Sequence, residues 1–566
     1  MRNLGHRSSL SSDEKASTSS SSITDSSNEW LEELRRYARR PPQKHLISGH
    51  HLSGLLDYVS QDTESRGPSL TSKLYRPSAD DRSAFAVLYD FNEAQPEIKL
   101  ECPTELDHIV GKNAVAKHQS QLLFLQGHPS PAWIKAVGGA FGVDAQFFYH
   151  HLWRYSRKRD TARTWPPLPS RAVKESRYCL TTLGYLDDAG RDERQESHVM
   201  KLRHEAENHM AEYLQQVRYG KQHAELGDSL LRSLSVHDGA NFSYEQYVSV
   251  WTEQTTKGWF ALVLLDIGTT ALRTCTPQDA LKWLAPLGGI PGNTIFAPIV
   301  ISDEVNMSLV RDSRLSNSKD QGVPQNAKHL CHGYHHYLDV ELARKSSLHA
   351  LQPLWTLISA SEKQFLNMMR DLVKRDIREG RAAGDGQDDA ALSNLMYNQD
   401  ILEQHAERLN HNTRSFEKCN AWPVAHGLSH EDKAGIRAFG QRMLEDFGGL
   451  LGKAKHLESK CDQGAHRVTT LVSHAHSKKQ LSQAERAEQL TRLGCFFLPM
   501  QYVASLFGMN FSQFGQGDLS VWLYFAITVP LISMMYVFVE PKARRLISGR
   551  VAQTRTLWKD RNQCTT

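Results

Sequence analysis

Near its C-terminus the chain carries two stretches without a charged residue. The first runs from Leu493 to Gly517 over 25 residues, and the second from Leu519 to Val539 over 21, with Asp518 between them. About 20 predominantly apolar residues span a bilayer core. The pattern therefore predicts two membrane helices, 493–512 and 519–539, joined by a loop over 513–518. A pair of buried core helices is the competing reading. Upstream, the apolar positions Ile436, Met443, Leu450 and Leu457 recur in steps of seven, as do Phe447, Ala454, Cys461, Val468 and Ala475. This is a coiled-coil-like seam. Ser429-His430-Glu431-Asp432 resembles a capping-box start, and no proline follows until the first uncharged stretch. One long helix is expected from about 429 to 510: a stalk over 429–492 that continues into the first span. A soluble helical bundle is the alternative there. A helical hairpin is expected within 341–428, turning in the Gly/Asp-rich segment 380–389. Strand-like runs at 83–91, 177–186 and 259–268, with helical pieces between, suggest an α/β domain over 29–340. The fold class read from these patterns is α+β: an N-terminal α/β domain, then a long stalk helix continuous with the first of two C-terminal spans.

Charge sets the expected orientation. Lys478, Lys479, Arg486 and Arg492 precede the first span; Lys542, Arg544, Arg545 and Arg550 follow the second; the connecting loop has neither Lys nor Arg. The positive-inside rule then puts both termini in the cytosol, with a basic tail over 540–566. Residues 1–28 contain 11 Ser and almost nothing apolar, which reads as a disordered tail. They lack a secretory h-region, and Asp13, Glu14 and Asp25 are unlike a transit peptide. The plasma membrane is the expected location, with the vacuole or another internal membrane as the alternative. Over the whole chain, Lys+Arg is 67 against Asp+Glu 63. That near balance gives no reason to expect a nucleic-acid partner. Eight Cys without a CxxC pair argue against a disulfide framework or zinc ribbon.

The candidate chemistry lies at the end of the first span. Two helices per chain cannot enclose a pore, so a pore needs several subunits about an axis. The first span carries the polar positions Gln501, Ser505 and Asn510, which suit the lined face. A ring of Asn510 amides could accept hydrogen bonds from the water shell of a hydrated cation, holding the ion weakly enough to release it. Gly508 would let the backbone turn towards the axis, and Met509 is read as packing. A helix C-cap made by Gly and Asn is the competing reading. Leu498 and Leu490 share a face with Gln501 and Ala487. Rings of Leu could gate by dewetting; ordinary helix packing is the alternative.

The stretch FFLPMQYVASLFGMNF, 496–511, preceded by Leu490-Thr491, resembles the signature of the CorA family of divalent-cation channels. The close similarity covers 490 to 540, and the composition resembles the fungal branch of that family. The resemblance implies a homopentameric, passively conducting Mg²⁺ channel in which Gly508, Met509 and Asn510 form the selectivity mouth. It also implies closure by cytosolic Mg²⁺ bound between subunits, so Mg²⁺ is both transported ion and regulator, with no other cofactor. Three departures stand out. Phe507 replaces the usual Tyr, Gln501 stands where Thr is common, and Asp518 is the only charge in a loop that is often more acidic. The same fold carrying Zn²⁺, Co²⁺ or Ni²⁺, and a non-conducting membrane-anchored regulatory protein, are the other readings.

Elsewhere the sequence gives little chemistry. His329, Cys331, His332, His335 and His336 cluster too loosely for an expected zinc site. The glycines of 447–454 lack the full P-loop pattern. Acidic residues show no spacing that marks a catalytic pair, and no enzyme is expected.

Overall fold

The computed structural model describes residues 14–60, 85–112, 120–152, 168–186, 196–219, 227, 229–268, 294–301, 326–382, 387–418, 421–507 and 520–539. The chain divides into two compact units, Met1–Val468 and Thr469–Thr566.

The first unit is built on a mixed sheet. Its strands are β1 (Ala86–Asp90), β2 (Glu97–Leu100), β3 (Gln121–Gln126), β4 (Glu175–Leu186), β5 (Ser233–Val236), β6 (Asn241–Gln254), β7 (Trp259–Leu265) and β8 (Thr294–Phe296). The order is β2-β1-β3-β7-β6-β4-β8, with β5 also paired to β6. β3 and β7 are parallel, Gln121 opposite Phe260; the other recorded pairings are antiparallel. The three strand-like runs seen in the sequence fall on β1, β4 and β7. β1, β3 and β7 are buried along their whole length, which is why they read as continuous apolar runs rather than alternating ones.

Period-2 alternation puts Ala86, Leu88, Leu123, Leu125, Leu262 and Leu264 into one core. That core also takes in α1 (Glu14–Ala38), α2 (Ser53–Val59), α3 (Pro103–Lys112) through Leu106, α4 (Pro131–Phe141) and α5 (Ala145–Leu152). Local chemistry fixes the ends of α4: Ser130 caps its N-terminus, Pro131 follows, and Gly142 closes it at φ 63°. On the other side of β1 and β3, Tyr89 and Phe124 meet Tyr334. α6 (Glu196–Tyr219) makes a smaller core with β5 and β6 through Leu202, Ala206, Phe242 and Tyr244.

The Ser-rich segment expected as a tail over 1–28 overlaps α1. It is described from Glu14, where α1 begins. Trp30 explains why the helix is held: its indole Nε1 donates to the Val143 carbonyl at 2.9 Å, and its ring meets Phe148 edge-on at 6.0 Å. Gly138 lies so close under Trp30 that a Cβ would come within 2.5 Å of the ring.

After the short helices α7 (Val340–Lys345) and α8 (Ser347–Ala350), α9 (Gln352–Ala382) and α10 (Gln387–Glu417) form a hairpin. α11 then runs unbroken from His430 to Phe507. Its start is capped reciprocally: the Asp432 N–H donates to Ser429 Oγ at 3.0 Å, and Ser429 donates to the Asp432 carboxylate. Ile436, Phe439, Phe447, Leu450, Ala454, Leu457, Cys461 and Val468 are buried along it. Gly380 and Gly464 show how tight this packing is. A Cβ on Gly380 would lie 2.6 Å from Val468, and one on Gly464 would lie 2.7 Å from Ile377. The first unit therefore continues through the hairpin to Val468, across the boundaries expected at 340 and 428.

The second unit contains the rest of α11 and α12 (Val521–Val539). From Thr469 onward the α11 side chains are almost all exposed, Ala475 included. Side chains of α12 are described from Trp522 to Tyr536. Among the described residues no helix is long and apolar enough to cross a membrane.

Candidate functional site

The residues singled out in the first uncharged stretch lie at the end of α11. Steps of 100° per residue put Ala487, Leu490, Leu498 and Gln501 within roughly 80° of one another, over roughly 21 Å of helix. All four are exposed, Leu490 at 68% and Leu498 at 67%. The neighbouring helix lies elsewhere. The Tyr524 hydroxyl of α12 meets the Met500 carbonyl at 3.4 Å, and Val503 is 4% exposed. Val503 is roughly 160° round the helix from Gln501. Among the described residues of this unit, α12 thus leaves the stripe open. Thr491, Thr528 and Ser533 turn their hydroxyls back to carbonyls four residues earlier, which satisfies them without a partner helix. Gly508, Met509, Asn510 and Asp518 lie outside the described residues.

A second concentration of chemistry was not visible in the sequence. It is a buried charged network where the sheet meets the hairpin. Arg408 of α10 donates to both oxygens of Glu245 on β6, at 2.8 and 2.6 Å. The His405 ring nitrogens lie 2.7 Å from Glu362 of α9 and 3.1 Å from Glu245. Burial works to lower the His405 pKa, but the Glu362 and Glu245 carboxylates outweigh it and hold the imidazole above its usual range. Burial likewise works to raise Glu245, and Arg408 and His405 overcome it and hold that carboxyl well below normal. Two acids and two cations balance, which is how buried charges are tolerated. A small cavity beside them is lined by Cys179, Glu362, Asn412 and, from α11, Phe447.

Further along α9, Arg375 pairs with Asp238 at 2.7 Å and with Asp376 at 2.9 Å. Burial pushes the Asp376 carboxyl up to about 6, against the pull of Arg375. Its Oδ2 is buried without a hydrogen-bond partner among the described residues. Burial, then the Asp376 charge, push the thiol of Cys461 on α11 up to about 12. Asp376→Asn is therefore expected to stabilise the protein in a pH-dependent way. A carboxyl whose folded pKa is raised above 3.8 contributes fully only below that value, and its contribution is lost as pH rises through about 6. The variant should melt above wild type at pH 8, and the advantage should shrink by pH 5. Melting curves at the two pH values check this, and a constant difference would refute the assignment.

Ser249, His151 and Asp266 form a third group. His151 Nδ1 is 2.9 Å from Ser249 Oγ, and Nε2 is 3.5 Å from Asp266. The residue types match a nucleophilic triad. Ser249 is only 2% exposed, however, and Asp266 is already paired with Arg232. Burial, with Arg232 and Arg177, keeps His151 well below its usual pKa. No substrate carbonyl can approach this serine, so the arrangement is structural. In the His329–His336 segment, Cys331 packs against Gln126, and Tyr334 donates to the Ala350 carbonyl. Among the described residues no group of three or more His, Cys, Asp or Glu is placed to hold a metal ion.

Residues 379–542 match the family model described as CorA-like Mg²⁺ transporter protein. The match takes in the stretch 490–540 that carries the resemblance in the sequence. Among solved structures, the chain is similar to the CorA magnesium transporter of Methanocaldococcus jannaschii. The identity is 12%, over 81% of this chain and 98% of that one, with a TM-score of 0.31. A likeness at this level gives no residue-by-residue correspondence. No curated protein matches.

Proposed function

We propose that this protein is a membrane channel for divalent cations, with Mg²⁺ as the transported ion. The match of residues 379–542 to the CorA-like family model carries the reading. The exposed stripe of Ala487, Leu490, Leu498 and Gln501, turned away from α12, supports it. In this reading several copies, five by resemblance to the family, set their α11 stripes around an axis. α12 lies outside, towards lipid, with the spans at 493–512 and 519–539 and both termini in the cytosol. Leu490 and Leu498 narrow the path, Gln501 offers amide oxygen, and Gly508-Met509-Asn510 form the outer mouth. Asp518 adds one negative charge per copy near the entrance, which raises the local concentration of cations. Flux is passive: a divalent ion gains about 4.6 kcal/mol per 100 mV, twice the single-charge value.

The test is Mg²⁺ uptake into liposomes holding the purified chain, wild type beside Asn510→Ala. Uptake faster at inside-negative potential, and abolished or opened to other ions by the substitution, is the expected result. Preferred uptake of Zn²⁺, Co²⁺ or Ni²⁺ would change the ion but keep the pore. No flux of any of these ions from a correctly assembled oligomer would replace the channel with an anchored regulatory protein.

A further inference from the structure

The segment joining α1 to α2 combines three features. First, it is basic, and most of its charges have no ion-pair partner among the described residues. Arg36, Arg39, Arg40, Lys44 and His45 are exposed. Arg35 pairs with Glu32, whereas Arg39, Arg40 and Lys44 have no ion-pair partner among the described residues. Second, its tip is apolar. Leu46 is 103% exposed and Ile47 63%. Single exposed aliphatics need no explanation, but two adjacent ones at the tip of a cationic loop are a different case. Third, the loop is held in place. The Arg40 N–H donates to the Tyr37 carbonyl and the Lys44 N–H to the Pro41 carbonyl, both at 3.2 Å, and Ser48 Oγ donates to the Arg40 carbonyl. Gly49 passes so close to Tyr37 that a Cβ would lie 2.4 Å from its ring. A cleft of about 500 Å³ beside the loop is lined by Arg39, Pro41, Pro42, His50 and Asp57. A loop tied at three points presents its tip without a further ordering cost.

We propose that this loop docks on an anionic lipid surface. Leu46 and Ile47 enter the headgroup layer, and Arg39, Arg40 and Lys44 meet lipid phosphates. The chemistry is that of interfacial anchors, in which apolar burial and attraction to anionic lipid act together. An acidic protein partner fits less well. The apolar part of a protein interface concentrates aromatic side chains, whereas this tip, Leu46-Ile47, is purely aliphatic. The proposal does not depend on ion transport.

The test uses the full chain in nanodiscs of neutral lipid, mixed with free vesicles and floated on a density gradient. The vesicles are phosphatidylcholine alone or phosphatidylcholine with phosphatidylserine. Co-flotation with the phosphatidylserine vesicles only, weakened by high salt, is the expected result. Leu46→Ser with Ile47→Ser, and separately Arg39→Gln with Arg40→Gln and Lys44→Gln, should each reduce it about tenfold or more. All five positions are exposed, and circular dichroism verifies that the variants fold. Absence of co-flotation, equal capture by neutral vesicles, or unchanged capture in both variants would overturn the proposal. The last result would assign binding to another basic segment. Capture by a polyglutamate peptide in place of vesicles would also overturn it, in favour of an acidic protein partner.

Discussion

Replacing Arg408 with alanine should destabilise the first unit by about 3–5 kcal/mol, the usual cost of removing one partner from a buried ion pair. Arg408 holds both oxygens of Glu245. Without it, Glu245 and Glu362 face a single cation, His405, in a largely buried site. The loss comes from leaving a carboxylate unpaired, not from the net worth of the pair. The double variant Arg408→Gln with Glu245→Gln should therefore recover much of it, because it removes both charges and keeps similar volume. Equilibrium unfolding of the purified protein, followed by tryptophan fluorescence, gives both values. A single-variant loss below about 1 kcal/mol, the range of an exposed pair, would mean that the network is solvated. His405 should add a pH dependence of known sign. Its pKa is raised in the fold, so its contribution is present below the unfolded value and is lost as pH rises through the folded one.

Phe447→Ala should cost about 3–5 kcal/mol, the range for truncating a buried Phe. Phe447 is the point at which α11 enters the aromatic cluster of the first unit. Its ring lies 4.9 Å from Phe416 and 6.3 Å from Tyr178. Phe416 in turn meets Trp355 at 5.5 Å and Trp422 at 6.4 Å. The site adjoins the cavity beside Glu362 and Arg408, so a truncation enlarges an existing void that the rigid hairpin and sheet cannot close. Phe447→Leu should cost much less. Hydrogen exchange gives the local readout: amides of 436–468 should exchange faster in Phe447→Ala, while those of β1, β3 and β7 should change little. Equal acceleration everywhere would mean that α11 and the sheet unfold as one cooperative unit.

Much of the architecture was written in local pattern. The strand-like runs at 83–91, 177–186 and 259–268 fall on β1, β4 and β7 because continuous apolar, β-branched and aromatic stretches need burial on both faces. The seven-residue seam and the Ser429/Asp432 cap specify α11, since both act within a few residues of chain. The stripe of Ala487, Leu490, Leu498 and Gln501 follows from helical spacing alone. What the sequence could not determine depends on distant partners. Nothing local says that the seam is covered to Val468 and exposed at Ala475. That depends on where the hairpin ends, with Gly380 against Val468. That Trp30 anchors α1 was not legible either, because the pocket formed by Gly138, Val143 and Phe148 exists only after folding. The pairing of Glu245, Glu362, His405 and Arg408 was hidden for the same reason. Three elements supply it, and only the tertiary structure brings them within hydrogen-bonding distance. Charges far apart in sequence acquire shifted pKa values only when burial removes their water and a partner takes its place.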